Sequence, residues 1–72
     1  MFTVEIVASV GSEHPTVVER AAYLLEDMKT TIQTARVLLE TVKQRRPRLQ
    51  PDGIIITDEL TGATLRFRDK LI

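Results

Sequence analysis

The sequence predicts an α+β fold in which one long amphipathic helix packs on a small, mainly antiparallel three-stranded sheet, in the order β-α-β-β. Three observations support this prediction: alternating apolar residues at 2–10, a segment at 16–46 without glycine or proline, and two short apolar segments within 54–68. The chain has 72 residues. That length suits one domain, so we expect a single domain spanning 1–72.

The composition is that of an ordinary globular domain, with 43% hydrophobic and 28% charged residues. Because there is no cysteine and only one histidine, we expect neither a disulfide nor a metal site, and we predict no cofactor. The sequence contains no apolar run long enough to cross a membrane, and its first residues lack a signal-peptide pattern. We therefore expect a cytoplasmic protein that makes no membrane contact.

Residues 2–10 predict the first strand. Apolar side chains occupy every second position and would form one buried face: Phe2, Val4, Ile6, Ala8 and Val10. The segment 11–15 ends this strand, because Gly11 tolerates unusual backbone angles and Pro15 cannot donate a hydrogen bond to a neighbouring strand.

Residues 16–46 predict one continuous helix. Apolar residues recur there at alternating steps of three and four, which is the spacing of a heptad seam: Val18, Ala21, Leu25, Met28, Ile32, Ala35, Leu39 and Val42. Thr16 and Glu19 match a capping box at the start, with Ser12 as the alternative cap, and Pro47 would end the helix.

The threonine-rich segment 30–34 is the weak point of the predicted helix, because threonine has a low helix propensity. A kink or a helical hairpin at this point is the alternative. We favour a continuous helix, because no glycine, proline or asparagine marks a turn and the heptad spacing continues across the segment.

Residues 54–68 predict a β-hairpin. Pro51, Asp52 and Gly53 form a turn before its first strand, and Gly62 lies in the connection to its second strand. In the second strand the apolar residues would face the core and the polar residues would face solvent: Ala63, Leu65 and Phe67 inward, and Thr64, Arg66 and Arg68 outward.

The predicted helix is too long for the predicted sheet to cover. About 30 helical residues extend roughly 45 Å, whereas a six-residue strand extends roughly 20 Å. Part of the heptad seam would face water, so we predict a homodimer or higher homo-oligomer with the eight seam residues as its interface. Acidic residues in the first half of the helix and basic residues in the second favour an antiparallel pair.

Self-association favours a non-enzymatic scaffold or interaction module, which would bind a protein partner through the sheet edge or the basic end of the helix. The first alternative is a nucleic-acid-binding dimer, whose basic patch would form if the helix end lies near the hairpin: Arg45, Arg46, Arg48, Arg66 and Arg68. A formal net charge of zero weighs against it, and so do three aromatic residues that do not form a stacking ladder between the arginines.

The second alternative is a small enzyme with a pocket between subunits near His14. This histidine, next to Glu13, could act as a general base, although a loop histidine before a helix is the simpler interpretation. Asp52, Asp58 and Glu59 do not have the spacing of a calcium-binding loop, so we interpret them as solvated turn residues.

Overall fold

The computed structural model describes residues 1–24 and 27–69, which form a four-stranded antiparallel sheet with one α-helix against one face. The sheet has the order β2-β1-β3-β4. Its elements, in chain order, are β1 (Phe2–Ala8), β2 (Thr16–Tyr23), the helix α1 (Met28–Arg45), a 3-10 turn (Pro47–Leu49), β3 (Gly53–Asp58) and β4 (Thr64–Arg68).

The predicted arrangement is wrong, although the fold is α+β. The described chain has the order β-β-α-β-β with four strands, because residues 16–23 form β2 and not the first turns of a helix. Consequently α1 has 18 residues and begins at Met28. The predicted residue Leu25 lies outside the described residues.

The local sequence of β2 explains its extended conformation. Thr16, Val17 and Val18 are consecutive β-branched residues, which favour strands because their χ1 freedom is restricted in helices. The strand β1 provides an antiparallel partner, and an ion pair between Arg20 and Glu5 joins the two at 2.7 Å. The apparent heptad therefore combined the apolar residues of a strand with those of a separate helix.

The cap of α1 is Asp27, and the capping box predicted at Thr16 and Glu19 is wrong. The carboxylate of Asp27 accepts hydrogen bonds from the backbone N–H groups of Lys29 and Thr30 and from Thr30 Oγ1. Thr31 Oγ1 donates to the carbonyl of Asp27 at 2.9 Å. These threonines thus stabilise the first turn of α1, which runs without a break through 30–34.

The core lies between α1 and the two central strands, β1 and β3. Its buried apolar residues are Phe2, Val4, Ile6, Ala35, Leu39, Val42, Ile54 and Ile56. Each large one contributes about 1.5–3 kcal/mol as an upper estimate. A helix of 18 residues is about 27 Å long, close to the roughly 20 Å of a six-residue strand. The mismatch expected for a long helix is therefore absent.

Candidate interaction surface

The seam predicted to be a dimer interface does not form one surface. Ala35, Leu39 and Val42 are fully buried under the sheet of the same chain. Met28 and Ile32 are partly buried against the same core. In a single chain these helical residues already have their packing partners, so they do not form an exposed apolar stripe.

The first seam residues lie on β2. The pairing of β1 with β2 shifts by one residue, so that Val18 and Glu19 both lie opposite Ile6 in a β-bulge. Val18 packs against the core, and Glu19 accepts a hydrogen bond from Arg45 of α1 at 2.9 Å. Ala21 pairs with Val4 and is partly buried.

The second face of the sheet has no helix against it among the described residues. The strand register aligns its side chains in three rows that cross β2, β1, β3 and β4 in that order. The first row is small and polar, the second is mostly charged, and the third is mostly apolar: Ala22-Thr3-Thr57-Thr64, Arg20-Glu5-Ile55-Arg66 and Val17-Val7-Gly53-Arg68. We call this surface the open face.

The loop between β1 and β2, residues 9–15, covers the third row at one corner of the open face. The side chain of Val10 is buried and lies on Gly53, where an added Cβ would be only 2.4 Å from Val10 Cβ. The backbone N–H of Val10 donates to Asp52 Oδ1 at 3.0 Å. Arg66 Nη1 donates to the carbonyls of Val10 at 3.4 Å and Ser12 at 3.2 Å.

Two adjoining clefts lie where this loop meets the end of β4. The first, of about 380 Å³, is lined by Val10, Gly11, Asp52, Arg68 and Asp69. The second, of about 350 Å³, is also lined by Val10, Gly11 and Arg68, but it has Arg66 and Phe67 in place of the two acidic residues. The acids of the first cleft already have partners, because Asp52 accepts from Val10 and Asp69 accepts from Lys43 Nζ at 2.6 Å. The second cleft is therefore the more cationic of the two.

The strand β4 forms one edge of the sheet and pairs with β3 without a bulge. Asp58 N donates to the carbonyl of Ala63, and Asp69 N donates to the carbonyl of Asp52. Because hydrogen-bonded pairs alternate along an antiparallel ladder, the backbone groups of Thr64, Arg66 and Arg68 point away from β3. Within residues 1–24 and 27–69, these outward groups make no further backbone hydrogen bond.

The predicted basic residues lie at one end of the molecule, in two groups. Arg45, Arg46 and Arg48 surround a shallow hollow at the end of α1, and Arg45 is paired with Glu19. Arg66 and Arg68 lie on β4. An ion pair joins the end of α1 to the end of β4, because Lys43 of α1 pairs with Asp69, which follows β4. The hydrogen bond from Lys43 to Asp69 raises the pKa of Lys43.

His14 lies exposed in the loop between β1 and β2. Its backbone N–H donates a hydrogen bond to Ser12 Oγ, at 3.1 Å. In the described part of the chain no carboxylate or hydroxyl hydrogen-bonds to the imidazole. Asp52 and Asp58 lie at opposite ends of β3, and no group of three or more potential metal ligands occurs among the described residues.

Comparison of the chain with protein-family models, with curated proteins and with solved structures gives no match. Among the helices that the structure describes, none combines the length and the apolarity needed to cross a bilayer.

Sequence reasoning offered a sheet edge as a binding surface but did not identify β4 as an edge strand. The hairpin pattern indicated the strand but not its position in the sheet, because strand order depends on where β1 and β2 pair. The outward-facing Arg66 and Arg68 were visible as alternating charges, and such charges are common on edge strands.

Proposed function

We propose that this protein is a non-catalytic interaction module that binds an extended segment of a partner protein along the edge of β4. The supporting observation is a regular edge strand whose outward backbone groups, at Thr64, Arg66 and Arg68, have no backbone partner among the described residues. An added strand can hydrogen-bond to such an edge through its own backbone, as in β-augmentation.

The opposite edge is less suited to this role. β2 contains the bulge at Val18 and Glu19, and bulges twist an edge so that a further strand pairs poorly with it. β4 has no bulge and no proline, and it carries Leu65, which is 43% exposed. A partner strand would therefore gain both hydrogen bonds and apolar contact at β4.

Self-association through the heptad seam is not part of this proposal, since its helical residues pack in the core of one chain. An enzyme near His14 is not part of it either. The cytoplasmic location expected from the sequence remains part of the proposal.

The test uses an uncharged peptide of alternating valine and threonine as the probe. We expect weak binding that shifts the backbone amide resonances of Thr64, Arg66 and Arg68 more than those of β2. The variant Thr64→Pro removes one outward N–H without removing a bond to β3, so it should keep the fold and weaken peptide binding.

Leu65→Pro is the matched control for Thr64→Pro. The N–H of Leu65 points toward β3, so its loss should lower the stability of the hairpin, whereas Thr64→Pro should not. If the peptide shifts β2 resonances instead, or if Thr64→Pro binds as well as the parent protein, the proposed binding edge is wrong.

The second candidate function is nucleic-acid binding, which one observation favours: the five predicted arginines lie at the same end of the molecule. Phosphate binding by them should weaken steeply with salt. Phe2, Tyr23 and Phe67 lie in the rows that face α1, so they do not form a stacking platform on the open face. Titration of a single-stranded oligonucleotide at low and high salt, with Arg46→Gln and Arg48→Gln, tests this candidate.

A further inference from the structure

We propose that the segment bound by β4 alternates acidic and apolar residues, with its acidic side chains on the open face and its apolar side chains on the face toward α1. This inference rests on the proposed binding along β4 and specifies the chemistry of the ligand. It follows from the different character of the two sides of the same edge strand.

The open-face side of β4 is cationic. Arg66 and Arg68 are exposed there, two residues apart, and line the smaller cleft together with Val10, Gly11 and Phe67. Within the described residues, no carboxylate lies within ion-pair distance of either guanidinium. In an added strand, residues opposite these positions point to the same face, so acidic residues there would meet the arginines.

One of the two arginines is also held in position. Arg66 is oriented by its hydrogen bonds to the carbonyls of Val10 and Ser12. A cation already held in place loses less side-chain freedom when an anionic ligand binds.

The side of β4 toward α1 is apolar. Leu65 is 43% exposed and Phe67 is partly exposed, because α1 lies across β1 and β3 and leaves the edge strand incompletely covered. Residues of an added strand opposite Leu65 and Phe67 would bury this apolar surface. Successive side chains of a β-strand point to opposite faces of the sheet. A bound strand therefore places acidic side chains against the arginines and apolar side chains against Leu65 and Phe67 only if the two kinds of residue alternate.

A second copy of this chain does not satisfy the same requirement. If the β4 strands of two copies paired antiparallel over their full length, Arg66 of one copy would lie opposite Arg66 of the other. Like charges in directly opposite positions are destabilising. A nucleic acid would supply anions to the arginines but no backbone partner for the edge and no apolar residues for Leu65.

The experiment compares four peptides of equal length with the full chain. The first alternates valine and glutamate, the second has the same composition in two blocks, the third alternates valine and lysine, and the fourth alternates valine and threonine. We expect the alternating valine–glutamate peptide to bind about tenfold more tightly than the block peptide, since two opposed ion pairs add to the backbone contacts.

The variants separate local from general electrostatics. Arg68→Gln should reduce the preference for the valine–glutamate peptide over the valine–threonine peptide. Arg36→Gln removes the same charge from an exposed position on α1 and should leave that preference unchanged. Equal effects of the two variants would contradict the proposal.

The outcomes also separate this inference from the proposed function. Equal binding of the glutamate and threonine peptides, with Thr64→Pro still disruptive, would refute the acidic ligand and leave edge binding intact. Absence of binding by all four peptides would refute both. Equal binding of the alternating and block peptides, or tighter binding of a single-stranded oligonucleotide, would indicate an unspecific cationic surface and also overturn the inference.

Discussion

The two faces of the sheet differ in how they are covered, although the same four strands form both. On the face toward α1, Val4, Ile6 and Ile56 are completely buried by a helix that is long enough to reach them. Among the described residues of the open face, those that are buried, Val7 and Gly53, lie in the row that Val10 covers. The helix therefore supplies stability on one face, and the short loop leaves most of the other face accessible.

This difference shows that a small chain can fold around a one-sided core. A domain of this size is marginal when it folds alone, and within the described residues the open face and the β4 edge are not covered by α1. Substitutions on the two faces should therefore differ in how much stability they cost.

Leu39→Ala should produce the largest loss of stability. Leu39 is 1% exposed between α1 and the sheet, so truncation leaves a cavity and should reduce the free energy of unfolding by about 2–5 kcal/mol. Val37 lies on the solvent side of the same helix with 68% of its surface exposed. Val37→Ala should change the free energy of unfolding by less than about 0.5 kcal/mol in the same urea titration. A large effect at Val37 would indicate that the outer side of α1 is buried in an oligomer.

Gly53→Ala should have the next largest effect, because it displaces the loop that covers one corner of the open face. The new Cβ would lie 2.4 Å from Val10 Cβ and 2.8 Å from the carbonyl oxygen of Phe67. We expect a loss of about 1–3 kcal/mol in unfolding free energy, with amide resonance shifts in residues 9–12.

Gly11→Ala is the matched control for Gly53→Ala. Its nearest neighbour is the end of the flexible Arg68 side chain, at 2.9 Å, which can move aside. The cost should therefore be small. If the two alanine variants are equally stable, Val10 is not packed on Gly53 in solution, and the covered corner of the open face does not exist as described.

The sequence predicted much of the second half of the fold. The hairpin at 54–68 and the inward and outward residues of its last strand follow from local patterns of period two and from Gly62 in the connection. The turn predicted at 51–53 is wrong, because the 3-10 turn lies at Pro47–Leu49, Gln50 takes the left-handed conformation and Gly53 is the first residue of β3. The end of α1 before Pro47 is also local. These features depend on residues close together in the chain.

The first half could not be derived in the same way. Val18 and Ala21 fit a helical spacing with Met28, yet the strand β1 and the ion pair from Glu5 to Arg20 make residues 16–23 extended. Pairing between distant segments thus overrode a local periodicity. That β4 is an edge strand was unpredictable for the same reason, since it depends on β1 pairing with the other side of β3 and on β2 pairing with β1.

Two arginine–glutamate ion pairs allow a direct comparison of the faces at smaller energies. Arg20 with Glu5 lies on the open face, at 2.7 Å, and Arg45 with Glu19 joins α1 to β2 on the other face, at 2.9 Å. Double-mutant cycles with glutamine should give a coupling energy of about 0.2–1 kcal/mol for each, because both arginines are more than half exposed. Molar salt should reduce both values. A coupling above about 2 kcal/mol for Arg20 with Glu5 would mean that the open face excludes water.

The smallest expected effect is the pH dependence at the cap of α1. Hydrogen bonds from Thr30 and Lys29 hold the pKa of Asp27 below its ordinary value of 3.8. Because the folded pKa is the lower one, the ionised cap contributes its full stability above pH 3.8 and loses it as the pH falls through the folded pKa. Asp27→Asn can still cap the helix but does not titrate there. Urea titrations from neutral pH to about pH 2 should therefore show a steeper loss of stability for the parent protein than for Asp27→Asn. Parallel curves would show that the carboxylate does not cap α1 in its ionised form, and the helix would then begin without help from Asp27.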